Sequence, residues 1–178
     1  VAAVGVCGVV GVTHKADAAP ADDFIITVDT RRLGTSTNLQ FTIPTTGTGY
    51  NYSVDCNNDG VIEATGLTDH YTCNYGTSGV YVLRISGTFP RIYFNNGGDR
   101  LKLLSVDQWG TGQWTSMAQA FYGASNMDVR ATDVPDLSRV TSMSNMFMDA
   151  QNLRGESANW NWNTSNVQFM SHVFYNAQ

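Results

Sequence analysis

The sequence predicts a β-rich N-terminal β-sandwich followed by a short α/β solenoid. The solenoid is predicted by one eight-residue pattern that occurs three times, beginning at Met117, Met143 and Met170, which are 26 and 27 residues apart. A fixed period of this size is typical of stacked repeats. The sandwich is predicted by short runs of β-branched and aromatic residues between residues 24 and 94, separated by turns rich in Gly and Asn.

The N-terminus reads as the remnant of a secretory signal peptide, assigned to residues 1–21. Residues 1–12 are apolar and uncharged, and residues 16–18 form an Ala-x-Ala-type cleavage site. The apolar run is too short to cross a bilayer, so we predict no membrane span in the mature chain. A buried N-terminal strand is the alternative. Because the sequence has no initiator Met and stops within a repeat, we expect a fragment of a longer reading frame.

Residues 22–108 form the predicted β-sandwich domain. The strand-like runs are residues 24–28, 39–43, 50–54, 71–75, 80–85 and 91–94. Several of them alternate between apolar and polar residues, as strands with one buried face do. The segment 79–85 also resembles the penultimate strand of immunoglobulin-like domains of the polycystic-kidney-disease type. That resemblance implies an immunoglobulin-like sandwich.

Two cysteines, Cys56 and Cys73, remain once the signal peptide is removed. An even number of cysteines in an exported chain predicts one disulfide. It would close a loop of about 18 residues and contribute roughly 3 kcal/mol to stability in the chain-entropy model. Two free thiols are the alternative.

Residues 55–63, DCNNDGVIE, match the first half of an EF-hand-type calcium loop. The candidate ligands are Asp55, Asn57, Asp59, the Val61 carbonyl and Glu63. The twelfth position is Gly66 instead of the usual Glu, so Glu63 or Asp69 would complete the site only by folding back. An ordinary hairpin turn is the alternative. Calcium is therefore the one cofactor for which the sequence offers a candidate site, and no other cofactor is predicted.

The repeat region is assigned to residues 109–178, about three units of 26 residues. In each copy the apolar residues fall at the spacing of Met143, Met146, Phe147 and Ala150, which is one face of a two-turn α-helix. So short a helix is marginal alone, and its apolar stripe must pack on neighbouring copies. We therefore expect each unit to contain a short strand, a turn and a short helix.

These residues resemble the 26-residue repeat of BspA-like bacterial surface proteins, a family related to leucine-rich repeats. The resemblance is carried by residues 140–150 and 162–174, which follow a W-x-T-S-x-V-x-x-M-x-x-M-F-x-x-A pattern. The first copy departs from it at residues 112–114. The resemblance implies a leucine-rich-repeat type of solenoid, a place outside the cell and a role in adhesion.

Four tryptophans lie in the second half of the chain, and exposed aromatic residues are a common means of binding sugars or proteins. Trp114 and Trp162 fall in the core register, whereas Trp160 is predicted to be exposed and is the candidate binding residue.

The sequence contains neither a metal-binding His cluster nor the parts of a His-based triad, and it lacks the common phosphate-loop and hydrolase motifs. We predict that the protein is not an enzyme.

The net charge of −5 argues against binding to nucleic acid or to anionic membranes. The expected function is a non-enzymatic secreted or cell-surface protein that uses its solenoid for adhesion to an extracellular protein or glycan. Two alternatives stay open. In one, the repeats are a structural spacer. In the other, the chain is an accessory module of a larger exported protein whose active part lies elsewhere.

Overall fold

The computed structural model describes residues 20–178, so the predicted signal-peptide remnant, apart from residues 20 and 21, lies outside the described residues. These residues are rich in β-structure. The strands are β1 (Phe24–Asp29), β2 (Gln40–Ile43), β3 (Asn51–Asp55), β4 (Ala64–Leu67), β5 (Tyr71–Asn74), β6 (Val80–Thr88), β7 (Leu103–Gln108) and β8 (Asp128–Val129). Helix within the described range is limited to one 3-10 turn at Arg100–Lys102. Nothing within residues 20–178 forms a helix of the length and hydrophobicity that crossing a bilayer requires.

Six strands form one mixed sheet in the order β4-β3-β6-β1-β7-β8, and β2 pairs with β5 in a separate two-stranded sheet. β1 lies inside the large sheet because it is apolar on both faces, with Phe24, Ile25, Ile26 and Val28 all buried. It pairs antiparallel with β6 on one side and with β7 on the other. The prediction of a β-rich N-terminal region is confirmed.

The run at residues 91–94 is not a strand, contrary to the prediction. Its backbone donors are divided between two neighbours. The Tyr93 N–H donates to the Pro44 carbonyl at 3.3 Å, and the Phe94 N–H donates to the Ala120 carbonyl at 3.0 Å. Aromatic and β-branched composition indicates a half-buried extended segment, but a strand also needs one continuous partner, which this segment lacks.

The helices predicted in the repeats do not form: in all three copies the described backbone makes turns. We number the copies first (residues 117–124), second (143–150) and third (170–177). The third and seventh residues of each copy have positive φ. They are Gln119 (59°), Gly123 (77°), Asn145 (58°), Asp149 (59°), His172 (57°) and Asn176 (54°). A right-handed helix needs negative φ throughout, so it cannot pass through these positions.

Alternate backbone N–H groups of the first two copies donate to carbonyls of the next copy or of the residue directly before it, and we call this array the amide ladder. Met117, Gln119, Phe121 and Gly123 donate to Ser142, Ser144, Met146 and Met148 at 2.8–3.0 Å. Met143, Asn145, Phe147 and Asp149 donate to Phe169, Ser171, Val173 and Tyr175 at 2.8–2.9 Å. The N–H groups at these alternate residues therefore bond to the next copy and not within a helix.

One aromatic ring per copy stacks in step with the amide ladder. The centroids of Phe121 and Phe147 are 5.5 Å apart and those of Phe147 and Phe174 are 5.6 Å apart, with interplanar angles of 9° and 12°. Phe121 and Phe147 are fully buried, whereas Phe174 is 54% exposed. The 26- and 27-residue spacing thus brings equivalent side chains into one column.

The core is continuous between the strands and the repeats. Trp114 packs edge-on against Phe24 at 5.0 Å and against Trp109 at 6.0 Å, and all three side chains are buried. β8, which follows the first copy, extends the large sheet by pairing in parallel with β7. The domain boundary between residues 108 and 109 stays a prediction, and buried side chains from both sides of it belong to one hydrophobic cluster.

The predicted disulfide between Cys56 and Cys73 is confirmed, with Cα atoms 5.7 Å apart. Cys56 follows β3 of the large sheet, and Cys73 lies in β5 of the small sheet. Both are buried, and the Tyr75 hydroxyl donates to the Cys56 carbonyl at 2.9 Å. The disulfide therefore links the two sheets covalently.

Candidate functional site

The loop that follows β3 is organised by the buried Asp55 carboxylate. Its Oδ1 accepts hydrogen bonds from the N–H groups of Asn57 and Asp59 at 3.3 and 3.2 Å, and its Oδ2 accepts one from Gly60 at 2.9 Å. Asn58 and Gly60 have φ of 55° and 88°. Asn and Gly adopt this left-handed region readily, so the local sequence accounts for the tight turn.

Glu63 folds back over this loop. Its N–H donates to the Val54 carbonyl at 3.0 Å, and its carboxylate accepts a hydrogen bond from the Cys56 N–H at 2.7 Å. One carboxylate oxygen from each of Asp55, Asp59 and Glu63 lies within 4.8 Å of the other two. The structure thus brings three of the five candidate calcium ligands together.

The other candidate ligands make different contacts. The Asn57 amide donates to the Asp59 carboxylate at 3.0 Å, and the Val61 N–H donates to the same carboxylate at 2.8 Å. Asp69 lies outside the cluster. It accepts a hydrogen bond from the His70 N–H, which lowers the pKa of its carboxyl group. Of the two residues that could fold back, the structure selects Glu63.

Arg84 adds a positive charge beside the loop. Its Nη2 lies 3.5 Å from the Asp55 Oδ2, and its Nε lies 3.6 Å from the Asp23 Oδ2. Burial raises the pKa of Asp23, and the charge of Arg84 opposes that rise. Arg84 therefore neutralises part of the charge that a cation at Asp55 would need.

Calcium binding stays a prediction with a defined test. If the carboxylates of Asp55, Asp59 and Glu63 hold calcium, an excess of about one hundred times Kd should stabilise the fold by about 2.7 kcal/mol. Thermal unfolding in calcium and in chelator measures this. Glu63→Gln should remove the shift, whereas Glu156→Gln, at an exposed site elsewhere, should keep it. Identical unfolding temperatures with and without calcium would leave the loop a hairpin turn.

A groove lined by aromatic and Met side chains lies beside the second and third copies. It has a volume of about 400 Å³ and is lined by Met143, Trp160, Trp162, Thr164, Met170, Val173 and Phe174. A second groove of about 220 Å³ adjoins it, because Trp160 and Phe174 line both. We call the larger one the tryptophan groove. Aromatic walls of this kind suit sugar rings and apolar side chains.

Trp160 is held in a defined position although its side chain is 40% exposed. Its Nε1 donates to the Gly155 carbonyl at 3.0 Å, and its ring centroid lies 5.1 Å from that of Trp162. Gly155 has φ of 60°, and a Cβ at this residue would lie 2.5 Å from the Trp160 ring. The predicted exposure of Trp160 is confirmed, and glycine at residue 155 is what lets the ring lie flat there.

Two further residues of the groove wall, Met170 and Phe174, were expected in the core. Met170 and Phe174 are 49% and 54% exposed, because no described residue packs on the outer side of the third copy. Their positions in the repeat match the buried Met143 and Phe147. A repeat pattern reports which side chains share a column and not which copy lies at the surface, so the sequence carried no signal for this difference.

Residues 91–178 match the family model of a domain described as "Mycoplasma protein of unknown function, DUF285". This part of the chain is similar to DUF285 domains. The match covers just under half of the chain and begins upstream of the first copy, at the segment that donates hydrogen bonds to it. No curated protein and no solved structure shows significant similarity to the chain.

Proposed function

We propose that this chain is part of a non-enzymatic secreted or cell-surface protein, in which a solenoid of the BspA-like, leucine-rich-repeat-related type carries an adhesive surface. The amide ladder and the stacked Phe column support a solenoid, since alternate N–H groups and one ring of each of the first two copies contact the next copy. On this proposal an immunoglobulin-like sandwich closes the starting end of the array. Apolar side chains of both sheets meeting in one core support the sandwich.

The observation that carries the binding role is the tryptophan groove. Exposed Trp, Phe and Met side chains are unfavourably hydrated, and clusters of them are typical of binding surfaces. Trp160 is held by its hydrogen bond to Gly155, so little side-chain entropy is lost when a ligand packs on it. The proposed ligand is an extracellular protein or a glycan.

A structural spacer is the second candidate function. It is favoured by the amide ladder, whose hydrogen bonds at alternate residues would keep the array stiff. As a spacer, or as an accessory module of a larger exported protein, the chain would set distance, and its aromatic groove would serve packing alone.

Binding to a panel of glycans and extracellular-matrix proteins separates the two functions. We expect saturable binding that Trp160→Ala weakens about tenfold or more, the effect of removing a central aromatic anchor. Tyr175→Ala is the matched control, because Tyr175 is 58% exposed in the third copy but lines neither groove. Absence of binding by folded protein would reject the adhesive role and favour the spacer. Equal losses in both variants would reject the tryptophan groove as the binding site.

A further inference from the structure

A groove lies where the strands meet the repeats, and we call it the junction groove. It has a volume of about 520 Å³, larger than that of the tryptophan groove. One wall is formed by residues 48–49, before β3, and by residues 87–90, at and after the end of β6. The other wall is formed by residues 112, 113 and 115, which precede the first copy, and by Arg139, which precedes the second. A cavity of this size is large enough for a small-molecule ligand.

Contacts between the two walls fix the shape of the junction groove. The Thr115 N–H and hydroxyl both donate to the Pro90 carbonyl, at 2.9 and 3.3 Å. Phe89 packs edge-on against Trp114 with ring centroids 6.2 Å apart, and both side chains are buried. Because these contacts already join the walls, a ligand would bind without having to order them.

Arg139 is the single charged residue among those that line the junction groove. It is exposed and takes part in none of the ion pairs among residues 20–178. Its Nη1 donates to the Gln113 Oε1 at 3.2 Å, and the Gln113 Nε2 donates in turn to the Ser138 Oγ at 3.2 Å. Within the same residues the guanidinium makes no other hydrogen bond, so it keeps donors for a ligand carboxylate.

The opposite wall suits a ligand that carries hydroxyl groups. Thr48 and Thr88 are exposed, and neither hydroxyl forms a hydrogen bond within the part of the chain that the structure describes. Each can therefore donate to and accept from a ligand hydroxyl. Phe89 and Pro90 also line the groove and offer carbon atoms to the face of a sugar ring.

The charge of the whole chain limits how many carboxylates such a ligand can carry. The net charge is −5, so the chain as a whole would repel a polyanion. Among the described residues that line the junction groove, none is Asp or Glu. A single carboxylate beside Arg139 would therefore gain a charge-assisted pair without local repulsion.

We propose that the junction groove binds a sugar that carries one carboxylate. Arg139 pairs with the carboxylate, and Gln113 holds the Arg139 side chain in place. Thr48 and Thr88 bind the sugar hydroxyls. The junction groove and the tryptophan groove share no lining residue. This site therefore goes beyond the adhesive role of the tryptophan groove and does not rest on it.

Titration of the isotope-labelled 178-residue chain with methyl β-D-glucuronide, followed by NMR, tests the proposal. The matched ligand is methyl β-D-glucoside, which has a CH₂OH group in place of the carboxylate. We expect saturable shifts of the amide signals of the groove at millimolar glucuronide. The glucoside should bind about tenfold more weakly or worse, since it lacks the charge-assisted pair.

Two variants test the carboxylate contact and the groove separately. Arg139→Gln should weaken glucuronide binding about tenfold, to the level of the glucoside. Its control is Arg130→Gln, at an exposed residue outside the groove. Gly112→Leu should block both ligands, because a Cβ at Gly112 meets no atom within 4 Å and a longer side chain can fill the groove. Gly76→Leu is its control, since a Cβ there is equally free of contacts.

Four results would overturn the proposal. They are equal binding of the two sugars, an Arg139→Gln variant that binds the glucuronide like the unmodified chain, no glucuronide binding by folded chain at about 10 mM, and equally tight binding of acetylglycine. The last compound carries a carboxylate without sugar hydroxyls, so it separates a sugar site from a general carboxylate site. Any of these results would leave the Trp160→Ala test of the tryptophan groove unaffected.

Discussion

Replacing Phe147 by alanine is expected to lower the free energy of unfolding by about 3–5 kcal/mol. Phe147 is fully buried and stacks between Phe121 and Phe174. The truncation removes both stacking contacts and leaves a cavity. The amide ladder holds the turns on either side in place, so the surroundings cannot close it. Chemical denaturation followed by tryptophan fluorescence measures the loss.

The matched control for this change is Phe169→Ala. Phe169 is 60% exposed, and its ring belongs to no stacked pair among the described residues. We expect its truncation to change stability by no more than about 0.5 kcal/mol. Similar losses for the two variants would mean that the Phe column does not carry the packing of the repeats.

Replacing Lys102 by methionine is expected to cost about 3–5 kcal/mol, because it removes one partner of a buried ion pair. Lys102 has no exposed surface, and its Nζ lies 3.7 Å from the Asp99 Oδ1. The Nζ also donates to the carbonyls of Ser36, Thr37 and Gln40 at 2.7–3.1 Å. The substitution leaves these acceptors unpaired and the Asp99 charge uncompensated.

Burial lowers the pKa of Lys102, and the charge of Asp99 opposes that shift. Exchanging both residues in Lys102→Met with Asp99→Asn should therefore recover part of the loss, since no buried charge is then left alone. Arg32→Met is the control at the surface. Arg32 pairs with Asp29 at 3.7 Å while 45% exposed, and its loss should cost less than about 1 kcal/mol. A Lys102→Met variant as stable as this control would contradict the structural role of the ion pair.

The strands that the sequence predicts well are those with clear local patterns. β1 and β6 are long apolar runs, and both form where expected. β7 is not predicted, because Ser105 and Asp107 interrupt its apolar pattern. In the structure Ser105 is fully buried and donates to the Asp107 carboxylate at 2.8 Å. A buried polar pair is satisfied by a contact that becomes visible only once the strand is folded.

In the repeats, the periodicity of apolar residues predicts burial but not backbone conformation. The spacing of Met143, Met146 and Phe147 correctly predicts which side chains are buried together. It does not distinguish a helix from turns that return to the left-handed region every four residues. Asn145 and Asp149 were the available signal, since such residues tolerate positive φ. Their positive φ is what excludes the predicted helix.

In the candidate sites, too, some features follow from the local sequence and others depend on long-range strand pairing. The positions of Asp55 and Asp59 in one loop, the pairing of the two cysteines and the exposure of Trp160 all follow from local pattern or composition. The return of Glu63 to the loop depends on β4, where Ala64 pairs opposite Val54 of β3. Sequence spacing alone leaves Glu63 and Asp69 equally plausible, because either one needs a long-range pairing to reach the loop.

By itself, the sequence determined that the chain is β-rich, that Cys56 and Cys73 pair, and that the last third repeats with a period that aligns its Phe residues. These features depend on residue type and local spacing. Only the tertiary structure decided that the backbone of each copy bonds to the next copy and that Phe174 is exposed while Phe147 is buried. Both depend on what lies beside each turn in space, and a short window of sequence does not contain that information.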